Sequence, residues 1–370
     1  MIKLASPDID VEEFEEVRKV LESKFLVQGD KVEQLENLIC DYLNINYAIA
    51  VSSGTAALHL ALLALDIISG DEIIVPDFTF PATANVVECV GANVKLIDIK
   101  KNDFCIDESD IERNITEKTK VIIPVQEFGN SCDMEKIINI AKRYNLKVVE
   151  DAACALGAEY DGKKVGTIGD IGCFSLHPRK TITTGEGGIV VTNNATIAKK
   201  IKILRNHGIE VINGKTTFVE AGFNYRMTNI QGAIGVAQFK KLEKLNAIRR
   251  SIAVKYNQLL KNINGITLPM ESKNVKHVWQ TYHILLDDCI DRNIVIKKLK
   301  EKGIESNFGA YSVHSQPYYK NKYKLNSDYY INSTKCYTNG LALPLHSNLK
   351  DEELEYIKEM LEEVINEFYN

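Results

Sequence analysis

Short apolar runs alternate along this chain with longer stretches in which apolar residues recur every three or four positions. The runs are Tyr47–Val51, Glu72–Pro76, Val94–Ile97, Val121–Val125, Lys147–Glu150, Ile171–Leu176 and Gly188–Thr192. Between them the helical period predicts helices near Thr55–Leu65, Ala82–Cys89, Asp133–Tyr144 and Thr196–Arg205, after two earlier ones over roughly Val11–Ser23 and Lys31–Leu43. Strands that alternate with helices imply right-handed crossovers and a mainly parallel sheet covered on both faces, which is the α/β class. A long helix over about Thr228–Leu260, with Thr228 as its N-cap, leads to a second unit. That unit mixes a strand (His283–Leu286), a helix (Arg292–Lys302) and a C-terminal amphipathic helix (Asp351–Phe368). With 370 residues the chain exceeds the roughly 250–300 at which one core stops growing. Two packed domains are therefore expected, a large one over residues 1–235 and a smaller one over 236–370.

Composition narrows the function by exclusion. The net charge is −5 and the lysine pairs Lys199-Lys200 and Lys240-Lys241 read as solvated helix faces, so no nucleic acid partner is indicated. Eight cysteines are scattered singly, without the spacing of a zinc site or a disulfide framework, and no metal is expected. Reduced thiols suit the cytoplasm. The opening residues Met1–Asp8 carry no apolar signal core. The greasiest stretch, Ala56–Ile68, is interrupted by His59 and Asp66 and falls short of the ~20 residues of a membrane span.

Four blocks carry candidate chemistry. In Phe174-Ser175-Leu176-His177-Pro178-Arg179-Lys180, an apolar strand runs into a loop bearing one lysine, followed by glycines and a second apolar run. A partly desolvated amine there can lose its proton and form a Schiff base with a carbonyl, although most loop lysines are simply solvated. Lys147-Val148-Val149-Glu150-Asp151-Ala152-Ala153 ends a buried strand in two carboxylates. The carboxyl end of a parallel strand is where open α/β sheets bind ligands, and a pyridinium nitrogen is one cation that would offset a buried carboxylate. A helix-capping aspartate is the plainer alternative. Ser52-Ser53-Gly54-Thr55 turns a strand into a helix whose N-terminus suits a phosphate, or is an ordinary cap. No Walker lysine follows, and the glycine pattern of a dinucleotide fold is missing. Gly222–Gln231 leads polar and aromatic residues into the long helix; taken singly, Asn224 and Arg226 read as surface residues.

Together, in this order and at these distances, the four blocks resemble the DegT-type (DegT/DnrJ/StrS) family of pyridoxal phosphate-dependent nucleotide-sugar aminotransferases, within fold type I. The likeness runs from Phe25-Leu26-Val27-Gln28-Gly29 to Ser312-Val313-His314-Ser315-Gln316-Pro317-Tyr318-Tyr319. It implies a large, mainly parallel seven-stranded sheet domain flanked by helices, with a smaller α+β C-terminal domain. It implies further that Lys180 holds the cofactor as a Schiff base and shuttles protons, and that Asp151 partners the pyridinium nitrogen. Gly54, Thr55 and Ser175 match phosphate contacts, and Asn224 matches a residue that reaches a neighbouring subunit's phosphate. Phe80 and Ala153 match the residues on the two faces of the ring, though Phe80 also reads as a core side chain capping the sheet.

The sequence departs from the family at Cys154, where Gln or His usually bonds the ring hydroxyl, and at Gln126, where His is common and substrate choice is in question. Arg226, Tyr311 and His314 are candidates for touching the sugar nucleotide, with packing at the domain junction as the alternative. A dehydratase branch of the family replaces the lysine with His; Lys180 favours transamination. The resemblance implies amino transfer from L-glutamate, through pyridoxamine phosphate, to a ketone on a nucleotide-linked sugar. A 4-keto-6-deoxy sugar destined for surface polysaccharide or glycoconjugate is expected, in a homodimer with shared active sites. Another keto sugar or a cyclitol is the alternative substrate, and a PLP-binding regulator without turnover the rival function. No appended basic helix-turn-helix supports that rival.

Overall fold

The alternating runs close into one seven-stranded sheet. A computed structural model, describing residues 1–272 and 274–369, orders its strands Tyr47–Val51, Gly188–Thr192, Ile171–Ser175, Lys147–Asp151, Thr119–Ile122, Glu72–Pro76 and Asn93–Ile97. Gly188–Thr192 runs antiparallel to both neighbours, and every other pairing is parallel. The sheet is thus mainly parallel. The strand expected to reach Val125 leaves the ladder at Ile122, because Pro124 has no N–H to donate; only an isolated bridge joins Val125 to Asp151.

Period-two alternation assigns the two faces. Ile49, Val51, Ile73, Val75, Val149 and Val190 pack on one side with the helices Gly54–Ala64, Ala82–Cys89 and Ala195–Arg205. Their neighbours Ala48, Ala50, Ile189 and Val191 face the other side, against the helices Asp30–Leu43 and Asn229–Leu260, while Ile74, Ile122 and Val148 face the helix Met134–Arg143. Both faces are buried, so each strand reads as a continuous apolar run.

The long helix Asn229–Leu260 begins on the expected cap, Thr228, whose side chain and Gln231 form a capping box. Its first half packs with the large unit through Val236, Phe239, Leu242 and Leu245. Its second half, with Ile252, Ala253, Tyr256 and Leu260, enters the core of the smaller unit. The division expected near residue 235 therefore runs through a continuous helix. The smaller unit is a three-stranded antiparallel sheet (Ile266–Thr267, Tyr282–Leu286, Gly340–Leu343) covered by the helices Arg292–Glu301 and Asp351–Asn366. Ile2 bridges Ile304, so the first residues cross to this unit.

Among the elements with no counterpart in the sequence reading is a hairpin pairing Ile209–Ile212 with Lys215–Phe218. Its turn is Asn213-Gly214, both with positive φ (50° and 77°), the geometry a two-residue hairpin turn prefers. Val211 and Phe218 on it are 68% and 70% exposed.

Leu35 is fully buried among Val32, Ile39 and the first half of the long helix. Leu35→Ala should lower the unfolding free energy by roughly 2–5 kcal/mol, read as a lower urea midpoint; a loss well under 1 kcal/mol would mean this contact is loosely packed.

Candidate active site

Several loops leave the sheet at the carboxyl ends of its strands and meet there. Asp151 ends its strand 5% exposed, too deep for water to solvate its charge. The Thr83 hydroxyl, from the helix Ala82–Cys89, donates to Asp151 Oδ2 at 2.7 Å, and the Ala153 amide donates to Oδ1 at 3.2 Å. Thr79 Oγ1 lies 3.1 Å from the Thr83 hydroxyl and steadies it. Burial pushes the Asp151 carboxyl above its ordinary range, against the pull of Thr83, Ala153 and Lys180. The other carboxylate of the pair has a different task. Glu150 accepts from the amides of Gly166, Ile168 and Gly169 at 2.7–2.8 Å and from the Gln126 side chain at 3.0 Å. It clamps the loop that follows, and it also occupies Gln126.

Lys180 sits in a loop closed at both ends: Leu176 N–H donates to Gly187 O, and Thr184 N–H to Leu176 O. The smaller unit holds this loop as well, through Gln280 Nε2 to Arg179 O at 2.8 Å. The half-buried Lys180 reaches back so that Nζ stands 2.9 Å from Cys154 Sγ, three residues beyond Asp151. Burial draws the ammonium's pKa down, but Cys154, Glu127 and Asp151 together outweigh it and hold the proton more tightly than in water. The neutral amine suggested by the sequence captures only the first of these effects. Any cation that pairs with Asp151 removes part of what holds that proton.

Glu127 was not singled out in the sequence, yet it belongs to this group. It lies on a tight turn, Glu127–Gly129, and is 5% exposed. Burial, with a further push from Asp151 and opposed by Lys180 and the Phe128 amide, raises its carboxyl to about 8. A glutamate among apolar residues at a strand end was the available signal. Gln126, where the sequence raised substrate choice, is fully buried, with Oε1 accepting from the Cys132 amide and Nε2 donating to Glu150. Its polar atoms are spent on anchoring the turn.

The phosphate block lies on the far side of Asp151. Ser53 caps the helix Gly54–Ala64 by accepting from Ala56 N–H. Among the described residues, the amides of Gly54 and Thr55 have no acceptor in the chain. A Cβ on residue 54 would come within 2.9 Å of Ser175 Cβ, so only glycine lets the helix start and the strand end approach this closely. Phe80 is 65% exposed, which rules out a core cap, and its ring meets that of Tyr311 edge-on at 6.2 Å. His314 is buried in a polar cluster at the junction of the two units. Its Nδ1 lies 2.7 Å from Asp77 Oδ2 and 2.8 Å from Ser312 Oγ, and its ring stacks on Tyr330. Asn224 is exposed, and Arg226 donates to Asn206 Oδ1 at 2.7 Å. Neither hydrogen-bonds the Lys180–Asp151 group among the described residues.

These features fit pyridoxal phosphate. A buried carboxylate has hydroxyl and amide donors but, among the described residues, no ion-pair partner; a lysine stands beside it; and an anion cradle and an uncovered aromatic flank both. Among the described residues there is no cluster able to hold a metal and no helix long and apolar enough to cross a membrane.

Comparison with known proteins gives a consistent result. The family model described as "DegT/DnrJ/EryC1/StrS aminotransferase family" matches residues 7–362. The chain is 39% identical over 371 residues to the GDP-perosamine synthase of Escherichia coli O157:H7, covering 100% of this chain and 99% of that protein. It superposes with a TM-score of 0.94 on a putative sugar aminotransferase of Streptococcus pneumoniae in its PMP form, at 30% identity over 100% of this chain and 98% of that one. Helicobacter pylori PseC, an aminotransferase involved in the biosynthesis of pseudoaminic acid, matches equally well: TM-score 0.94, 30% identity, 99% of each chain.

Thr83→Val keeps the shape and deletes the hydrogen bond to Asp151. Cofactor affinity should fall by about tenfold, the order one hydrogen bond to a charged group contributes; fluorescence titration with pyridoxal phosphate measures it, and an unchanged Kd would show that Thr83 does not support the site. The cofactor-free protein should also lose stability as pH rises from 4.5 to about 8, because the folded chain keeps a proton on Glu127 that the unfolded chain releases. Melting curves across that range should be flatter in Glu127→Gln, and an identical slope would contradict the raised carboxyl.

Proposed function

This chain belongs to the DegT/DnrJ/EryC1/StrS aminotransferase family, and from that premise we propose the substrates on which it acts. It is a pyridoxal phosphate-dependent sugar aminotransferase. We infer that its acceptor is a ketone on a nucleotide-linked sugar, a 4-keto-6-deoxyhexose carried on GDP in the first instance, and that L-glutamate is the donor. Full-length likeness to a GDP-perosamine synthase supports the GDP-linked acceptor. The single observation that carries the reading is the convergence of Lys180 and Asp151 at the carboxyl edge of the sheet, with Cys154 against the amine.

Each residue then has a physical task. Bound pyridoxal phosphate supplies the electron sink that stabilises charge on a carbon losing its proton. The Asp151 carboxylate, fixed by Thr83 and Ala153, would face the ring nitrogen and keep it protonated. Lys180 Nζ would hold the cofactor covalently and, once released, carry a proton between donor or acceptor carbon and cofactor. Gly54, Thr55 and Ser175 would bind the phosphate through free amides and a hydroxyl. Phe80 would cover one ring face and Ala153 the other, while Tyr311 and Arg226 would touch the sugar nucleotide. His314 would act by shaping the wall at the junction, since its Nδ1 is engaged by Asp77 and Ser312.

The exposed hairpin side chains Val211 and Phe218, close in sequence to exposed Asn224, support a homodimer in which each subunit completes its neighbour's site. Free cysteines throughout the described residues suit the cytoplasm.

Incubation with L-glutamate should release 2-oxoglutarate, and a screen of GDP-, dTDP- and UDP-linked 4-keto-6-deoxyhexoses should then yield an amino sugar; no product with any donor or ketone would overturn the reading. Lys180→Ala should lose the visible absorbance of bound cofactor and all turnover yet still hold pyridoxamine phosphate. Full activity in that variant would refute the role of the lysine.

A further inference from the structure

The order of the strands places Glu127 on a definite side of the site. Asp151 ends the central strand; Ser175, Lys180 and the Gly54 turn come from strands on one side of it, and the Glu127–Gly129 turn follows the strand on the other. The turn is rigidly held. Gln126 N–H donates to Asp151 O at 2.9 Å, Val278 N–H donates to Gly129 O, and Phe128 stacks on His283 with ring centroids 4.6 Å apart. Among the described residues no side chain hydrogen-bonds the Glu127 carboxyl, although it is nearly buried and close enough to Lys180 and Asp151 to feel both.

In pyridoxal phosphate, the phosphate arm and the ring oxygen lie on opposite edges of the line joining the ring nitrogen to the reactive carbon. With the nitrogen at Asp151, the reactive carbon toward Lys180 and the phosphate at Gly54, Thr55 and Ser175, the oxygen edge would face Cys154 and Glu127. A thiol is a weak donor. We propose that Glu127 supplies the hydrogen bond to the cofactor's ring oxygen, a position that Cys154 serves poorly. The titratable groups around it are Lys180, Asp151, Cys154 and His283, the last held neutral by burial. Burial raises the carboxyl to about 8 in the cofactor-free chain, so at neutral pH it can donate; once ionised it would repel an anionic ring oxygen.

The inference rests on the cofactor reading above and not on the identity of the sugar, so the test uses no substrate. The absorbance of the cofactor-loaded protein is titrated from pH 6 to pH 10, and pyridoxal phosphate affinity is measured at neutral pH. Glu127→Gln keeps a donor that cannot ionise. It should retain the neutral-pH spectrum and lose the spectral step near pH 8. Glu127→Leu should shift the spectrum already at neutral pH and weaken affinity by about tenfold, and adding Cys154→Gln should restore both. If Glu127→Leu does not fold, the titration of Glu127→Gln decides alone. Variants that match the parent in spectrum, titration and affinity would overturn the inference while leaving the aminotransferase reading intact. A parent protein that takes up no cofactor would overturn both.

Discussion

A carboxylate sealed at the end of a central strand is the constraint around which the rest of this protein is arranged. Among the described residues Asp151 has a hydroxyl and an amide to steady it but no salt-bridge partner, and burial makes that state costly. Lys180 relieves that cost only in part. Cys154 and Glu127 draw on the same lysine, so Lys180 must serve all three. A cationic ring held in its midst would stabilise such a site. Perturbed groups gathered at the carboxyl edge of an α/β sheet are how a catalytic centre differs from a core.

The smaller unit completes the site without supplying its central charges. It pins the lysine loop through Gln280 and the Glu127 turn through Val278. Its strand Tyr311–Ser312 pairs with Phe78–Thr79, which orients both Phe80 and the Thr79–Thr83 relay to Asp151. The buried Asp77–His314–Ser312 cluster locks the same junction. Three loops of the large unit are thus fixed by contacts from 278 onward. A break in the junction would loosen the geometry of the site before it affected either core.

Much of this was legible in the residues. Continuous apolar runs such as Tyr47–Val51 and Gly188–Thr192 are strands because both faces of the sheet are covered, and the Thr228 cap is local chemistry. Asp151 and Lys180 were paired through the resemblance to the DegT-type family, and the shared edge of parallel strand ends makes that pairing possible. What escaped was set by tertiary context. Pro124 shortened a strand whose apolar run continued past it. Glu127 escaped because a glutamate at a strand end gives only a weak local hint that its carboxyl is buried. The charge on Lys180 depends on Cys154, Glu127 and Asp151, brought to it from two other segments of the chain. The hairpin was readable after all: Asn213-Gly214 between Ile209–Ile212 and Lys215–Phe218 is a strong local turn signal.

The charge at position 151 is best tested by the rate of the first half of the transfer, followed as loss of the bound cofactor's absorbance on mixing with L-glutamate, in Asp151→Asn against the parent. The asparagine fits the same space and can keep its bond to Thr83, so the cofactor should still bind. The rate should fall by at least about a hundredfold. A variant that binds cofactor and reacts as fast as the parent would show that this carboxylate is not what makes the site work.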